Sequence, residues 1–183
     1  MQLFAWCALV VFWFAWGYPF IFRAPHKQKR ESITAIGPTR VGLLLEGIGI
    51  FLAFALRTPE PPGLLRVVPA VALGVAAAFL SWNAVAHLGK QFRVHAGLYV
   101  DHELVQSGAY SIVRHPIYTS LLAMLLCSLL ILTPWGWALL SIAIFVVGTE
   151  IRVRCEDQLL ESRFGEDFHK YRAQVRAYVP FVR

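Results

Sequence analysis

Charge is scarce in this chain. Charged residues make up 15% of the 183, against 57% hydrophobic, where a soluble domain carries roughly one-quarter. That shortage, with a mean hydropathy of +0.57, excludes a soluble domain and places the chain in a membrane. A long polar block is also lacking, so residues 1–183 read as a single membrane-embedded domain. Cysteine is sparse: Cys7, Cys127 and Cys155 sit in or beside apolar stretches without C-x-x-C spacing. This excludes a disulfide framework and a zinc site, and no metal is expected. There is no internal repeat and no low-complexity tract. The formal charge of +6 comes from basic residues scattered over short loops without an interleaved stacking surface, so nucleic acid is excluded as a partner. Segment 2–22 has no basic stretch ahead of its apolar run and is followed by Arg23 and Lys27. It reads as a retained anchor rather than a signal peptide.

What is present is apolar length. Segments 2–22, 39–57, 64–88, 117–133 and 135–152 each suit a membrane span, the fourth at the lower limit of the roughly 17–25 residues a bilayer requires. Thr58-Pro59-Glu60-Pro61-Pro62-Gly63 and Thr133-Pro134-Trp135-Gly136-Trp137 mark short interfacial turns. The fold class expected is all-α integral membrane, with about five transmembrane helices, a cytoplasmic connector and C-terminal amphipathic helices. In that arrangement Arg23, Lys27, Lys29, Arg30, Arg40, Lys90, Arg93, Arg114, Arg152, Arg154 and the basic residues of the tail share one side, and Arg57 and Arg66 take the other. Basic loops stay in the cytoplasm, so the N-terminus is expected outside, with loop 89–116 and tail 153–183 facing the cytoplasm together. In the tail, Leu159, Leu160, Phe164, Phe168, Tyr171 and Val175 recur at spacings of three and four, which predicts helix. One helix continues the fifth span to Phe164, Gly165 caps it, and a second short amphipathic helix lies on the membrane surface.

Two clusters are not explained by apolar length. Residues 102–118, HELVQSGAYSIVRHPIY, set a tight turn, a fixed cation, an imidazole and two phenols between apolar segments. Proline pushes the residue before it out of the helical region and suits a first helical position, so His115 is expected at the mouth of the fourth span. The helix opening there offers unpaired N–H groups and a positive dipole end, which suit a carboxylate or phosphate. Singly, Arg114, Tyr110 and Tyr118 also fit an interfacial belt on lipid head groups; together with Gly108 they favour a site. In Arg152-x-x-x-Glu156-Asp157, Arg152 and Glu156 share a helix face while Glu156 and Asp157 point to different sides. Either inward-facing groups that pair or hold a ligand, or a solvated helix with an ion pair worth under about 1 kcal/mol, account for this cluster. Within the spans Glu46, Asn83, His87 and Glu150 need partners. His87 ends the third span on the same side as His115 and is a candidate for the same pocket; the roles of Glu46, Asn83 and Asp157 stay open.

As one pattern, His102-x-Leu104-Val105-x-x-Gly108-x-Tyr110-x-x-Val113-Arg114-His115-Pro116-x-Tyr118, then Arg152-x-x-x-Glu156-Asp157-x-x-Leu160-x-x-x-Phe164-Gly165 and Tyr171, resembles the isoprenylcysteine carboxyl methyltransferase family. That family belongs with the phospholipid N-methyltransferases among integral membrane enzymes. The resemblance covers residues 81–180 and implies a methyltransferase dependent on S-adenosylmethionine, bound in a cytoplasm-facing pocket. Carried over position by position, it implies that His102, Leu104, Gly108, Tyr110, His115, Pro116 and Tyr118 contact the methyl donor. It further implies that Glu156 partners the donor's amino group or the reacting centre, and that Arg152 orients the acceptor. Asp157 stands where many members have a second glutamate. The implied partners are membrane lipids and a lipophilic small-molecule or prenylated substrate.

Elementary chemistry agrees with that assignment. The donor carries a carboxylate, an amine and a sulfonium, which want a helix N-terminus or arginine, an acid, and an electron-rich lining respectively. The two clusters contain all three. The acceptor stays open: a carboxylate is already ionised and needs only a cation such as Arg152, whereas an amine of the phosphatidylethanolamine type, or a thiol, must first lose a proton to Glu156 or His87. From other classes, a membrane scaffold and a sterol-reductase-like protein share the broad architecture, though such reductases are longer and their cofactor motif is not evident here.

Overall fold

The structure is a computed structural model that describes residues 2–22, 32–34, 37–58, 60, 62–92, 97–99 and 102–179. Arg23, Lys27, Lys29, Arg30 and Arg93, which carry part of the charge asymmetry noted above, lie outside the described residues. The helices follow the apolar segments: α1 (Gln2–Phe22), α2 (Gly37–Ala55), α3 (Leu64–Leu88), α4 (Pro116–Leu132), α5 (Trp135–Phe164) and α6 (Glu166–Gln174). Four of them, α1, α2, α3 and α5, are long and apolar enough to cross a membrane, and α4 is an apolar helix of 17 residues. Phe4, Phe51, Leu65 and Phe79 are exposed on the outside of the bundle, where lipid tails are as apolar as the side chains. The chain is an all-α integral membrane protein with one small addition. Strand β1 (Ser32–Thr34) pairs antiparallel with β2 (Gly97–Tyr99), Ser32 opposite Tyr99; three residues are too few to show the alternation that betrays a strand in sequence.

Helices in lipid gain little from apolar burial, so close backbone approach and polar contacts hold them. Between α2 and α5 the backbones nearly touch: a Cβ added to Gly148 would stand 2.6 Å from the Gly42 carbonyl oxygen. The Ser141 hydroxyl donates to the Gly49 carbonyl in the same seam, at 2.6 Å. In α1, Pro19 has no N–H to give the Ala15 carbonyl, and the indole N–H of Trp82 on α3 donates to that oxygen instead, at 2.7 Å. Trp16 on α1 donates its indole N–H to the Ser120 hydroxyl on α4 at 2.9 Å. These contacts set the three walls around the site.

The tail differs from expectation in one respect. Gly165 ends α5 with φ of 48°, a left-handed conformation that favours glycine, and α6 follows as predicted. Its apolar face packs on protein: Phe168 and Tyr171 are buried, and the Tyr171 hydroxyl donates to the Tyr110 carbonyl at 2.6 Å. Beyond α6 the chain runs beside the connector, where the Arg114 N–H donates to the Arg176 carbonyl at 2.7 Å and the His115 N–H to the Ala177 carbonyl at 2.8 Å. Amphipathic spacing marks an apolar face but not whether lipid or protein covers it; here protein does.

Candidate active site

His115 caps the N-terminus of α4 in a non-helical conformation with Pro116 at the first helical position, as the proline rule requires. Its buried imidazole lies between two carboxylates of α5. Nε2 meets Asp157 Oδ1 at 2.9 Å and Nδ1 meets Glu156 Oε2 at 3.2 Å. Glu156 and Asp157 do leave the helix in different directions, yet they converge on the same ring from opposite sides. Burial opposes the charged imidazolium, but the hydrogen bonds to Asp157 and Glu156 and their charges outweigh it and raise the pKa from 6.5 to about 9. The ring is therefore cationic at neutral pH, a donor at both nitrogens.

Neighbouring groups complete a network. Arg114 donates Nη2–H to Asp157 Oδ2 at 2.9 Å and Nη1–H to the Val175 carbonyl; with its side chain 4% exposed it is a buried strut rather than an anchor on lipid head groups. Tyr118, in the first turn of α4, donates its hydroxyl to Glu156 Oε1. Burial, then the charge of Glu156, pushes the Tyr110 phenol well above its ordinary range, so it stays protonated. Arg152 is not part of a solvated surface pair: it is buried, donates Nη1–H to Glu46 Oε2 at 2.7 Å, and lies over the Tyr118 ring at 4.9 Å. Thr149 donates to the other Glu46 oxygen at 3.0 Å.

These groups border a cavity of about 570 Å³. Of the residues singled out from the sequence, His102, Leu104, Tyr110, His115, Pro116, Tyr118, Arg152 and Glu156 line it. Gly108 stands behind that wall, in a turn with φ of 60°, and a Cβ there would meet the His87 ring at 2.4 Å. His87 is accordingly not in the cavity wall; it braces the connector from outside. Asn83, one turn earlier, accepts the Ala109 N–H at 2.6 Å. The opposite wall, from α1 and α2, is apolar: Trp16, Phe20, Leu43 and Ile50. The sequence argument left two polar wall residues, Glu46 and Gln91, without an assigned role. Glu46 was visible as a carboxylate in need of a partner, without a sign of which. Gln91, a neutral residue just past α3, gave no signal.

Residues 70–162, half of the chain, match the sequence pattern of the isoprenylcysteine carboxyl methyltransferase (ICMT) family. The chain belongs to this family. The protein-S-isoprenylcysteine O-methyltransferase of Schizosaccharomyces pombe is similar at 28% identity over 106 residues, 57% of this chain and 45% of that protein. The match thus spans under half of that relative's length. The chain is thus an integral membrane member of the isoprenylcysteine carboxyl methyltransferase family. The family match takes in the connector, α4 and the part of α5 that carries Arg152, Glu156 and Asp157, and it leaves out α2 with Glu46.

Proposed function

We propose that the protein transfers a methyl group from S-adenosylmethionine to the carboxylate of a lipophilic, prenylcysteine-like acceptor at the cytoplasmic face of the membrane. The observation that carries the choice of acceptor is that the three carboxylates of the site are engaged at both oxygens. Glu46 is held by Thr149 and Arg152, Glu156 by Tyr118 and His115, and Asp157 by Arg114 and His115. None stands ready to take a proton from an amine or thiol, whereas an ionised carboxylate needs no base. The similarity to the isoprenylcysteine O-methyltransferase of Schizosaccharomyces pombe supports the same acceptor class. The basic residues clustered on the connector side support a cytoplasmic site.

S-adenosylmethionine, when bound, supplies an electrophilic methyl group on a sulfonium. The residues present fit it. Glu156, held in place by His115, suits its ammonium, and Arg114 and the opening turn of α4 suit its carboxylate. The faces of Tyr110 and Tyr118 suit the sulfonium. His102, Leu104 and Pro116 complete the cradle, with Gly108 shaping the turn behind it. Arg152 holds the acceptor carboxylate, whose oxygen forms the new bond to the methyl carbon as the carbon–sulfur bond breaks with its electron pair going to sulfur. No proton moves. Trp16, Phe20, Leu43 and Ile50 receive the apolar tail and exclude water, and alignment supplies most of the rate.

The test is calorimetric titration of S-adenosylmethionine and S-adenosylhomocysteine into detergent-purified protein, followed by transfer of labelled methyl to a farnesylated cysteine and, separately, to phosphatidylethanolamine and an alkyl thiol. Binding of the adenosyl compounds with labelling of the farnesylated cysteine is expected. A folded protein that binds neither adenosyl compound sinks the proposal, and labelling of the amine or thiol alone moves the acceptor.

A further inference from the structure

The cavity wall contains an amide that the described residues leave unsatisfied. Gln91 is 4% exposed, lines the cavity, and has no hydrogen-bond partner among the described residues at either Oε1 or Nε2. Buried polar groups in native proteins are paired almost without exception, so an orphaned carboxamide on a residue of the cavity wall points to a ligand that completes it once the side chain turns toward the cavity. Its placement is set by the backbone. Gln91 closes the short 3-10 turn Gly89–Gln91 at the end of α3, and that turn depends on Gly89 with φ of 48°, which favours glycine.

The surroundings narrow the ligand. Phe92 and Phe20, with ring centroids 5.6 Å apart, line the same cavity, as does Leu88. An apolar patch of two rings tilted 42° to one another, edged by one donor and one acceptor side by side, suits a purine lying against it. Aromatic rings stack on its faces, and a carboxamide pairs with the adenine N6 and N7 edge through two hydrogen bonds. We propose that Gln91 reads the adenine of the methyl donor, Oε1 accepting from the N6 amino group and Nε2 donating to N7, with Phe20 and Phe92 against the base. The proposal rests on S-adenosylmethionine being the donor.

The experiment uses the full chain in detergent and measures dissociation constants calorimetrically for S-adenosylhomocysteine, its 7-deaza analogue and its inosyl analogue. Wild-type protein is expected to prefer the adenosyl compound about tenfold over either analogue, the size of effect expected for one lost hydrogen bond in a closed site. Gln91→Leu, nearly isosteric and melting as the wild type does, is expected to bind the adenosyl compound about tenfold more weakly and to prefer neither analogue over it nor it over them. Gln91→Glu, which keeps the acceptor and loses the donor, is expected to lose the preference against the 7-deaza compound. It serves as the second variant if the leucine protein does not fold. Retention of the wild-type preferences in either variant overturns the assignment, and so does a wild type without preference. A wild type that binds none of the three compounds removes the adenosyl reading, and this inference with it, a result readily told apart from binding that ignores Gln91.

Discussion

Glu46 Oε2 accepts a hydrogen bond from Arg152 Nη1 at 2.7 Å, tying α2 into a site otherwise built from the connector, α4 and α5. The pair is buried on both sides, so removing the carboxylate alone leaves a guanidinium without its counter-charge. Glu46→Ala is expected to lower stability by about 3–5 kcal/mol, and Glu46→Gln by less, since the amide oxygen still accepts from Nη1. Thermal unfolding in detergent measures both; equal melting temperatures for Glu46→Ala and wild type would show that the pair does not stabilise the fold.

Arg152→Ala separates the two substrates. If the guanidinium holds the acceptor, turnover falls by at least about tenfold while calorimetric affinity for the donor shifts little. Turnover at the wild-type level would remove Arg152 from that role.

Alkaline pH probes His115. The imidazole starts near 6.5 in the unfolded chain and is held at about 9 in the folded protein. A pKa raised by folding contributes stability that is complete below about pH 6.5 and is lost as pH climbs through about 9. The melting temperature of the wild type is expected to fall across that window. In His115→Gln, which has no proton to lose there, the decline attributable to this group is absent.

The α2–α5 seam has no room for a methyl group. A Cβ on Gly42 would lie 2.5 Å from Arg152 Cγ and 2.7 Å from the Gly148 carbonyl oxygen. Gly42→Ala must therefore part the helices or displace Arg152, at a cost of about 1–3 kcal/mol. Parallel losses of melting temperature and turnover are expected. A variant as stable and as active as wild type would mean that the seam yields easily.

Trp82→Phe strips the Ala15 carbonyl of its donor and is expected to cost about 1 kcal/mol. Pro19→Ala restores an N–H able to reach that carbonyl, so Trp82→Phe should cost less in a Pro19→Ala background than alone. A double-mutant cycle on melting temperature reads the coupling, and strictly additive effects would rule out the exchange of donors.

Much of the fold was legible because its punctuation is chemical. Pro116 starts α4 one residue from the predicted 117 and Gly165 ends α5 where predicted, since one residue cannot sit inside a helix and the other supplies the left-handed turn after it. The cluster of His115, Tyr118, Arg152 and Glu156 was legible as ionisable groups that a membrane boundary does not require. Partnerships were harder. Glu46 and Arg152 are far apart in sequence, and nothing local says that a glycine seam brings their helices together. The convergence of Glu156 and Asp157 on one ring depends on where the connector delivers His115, which follows from the docked tail rather than from helical spacing. Gln91 is recognisable only by the pairing it lacks in three dimensions.

The strap formed by residues 175–179 has a consequence for the order in which the protein is made. Its carbonyls at Arg176 and Ala177 receive the N–H groups of Arg114 and His115, and the Val175 carbonyl receives the Arg114 side chain. The strap follows every described helix in the chain, so a ribosome makes it after all of them. A nascent chain that has reached Phe164 carries α1 to α5, and Arg152, Glu156 and Asp157 with them, but not the segment that fixes the cations opposite. The two cations of the connector are thus fixed only once residues 175–177 exist, later than every described membrane helix.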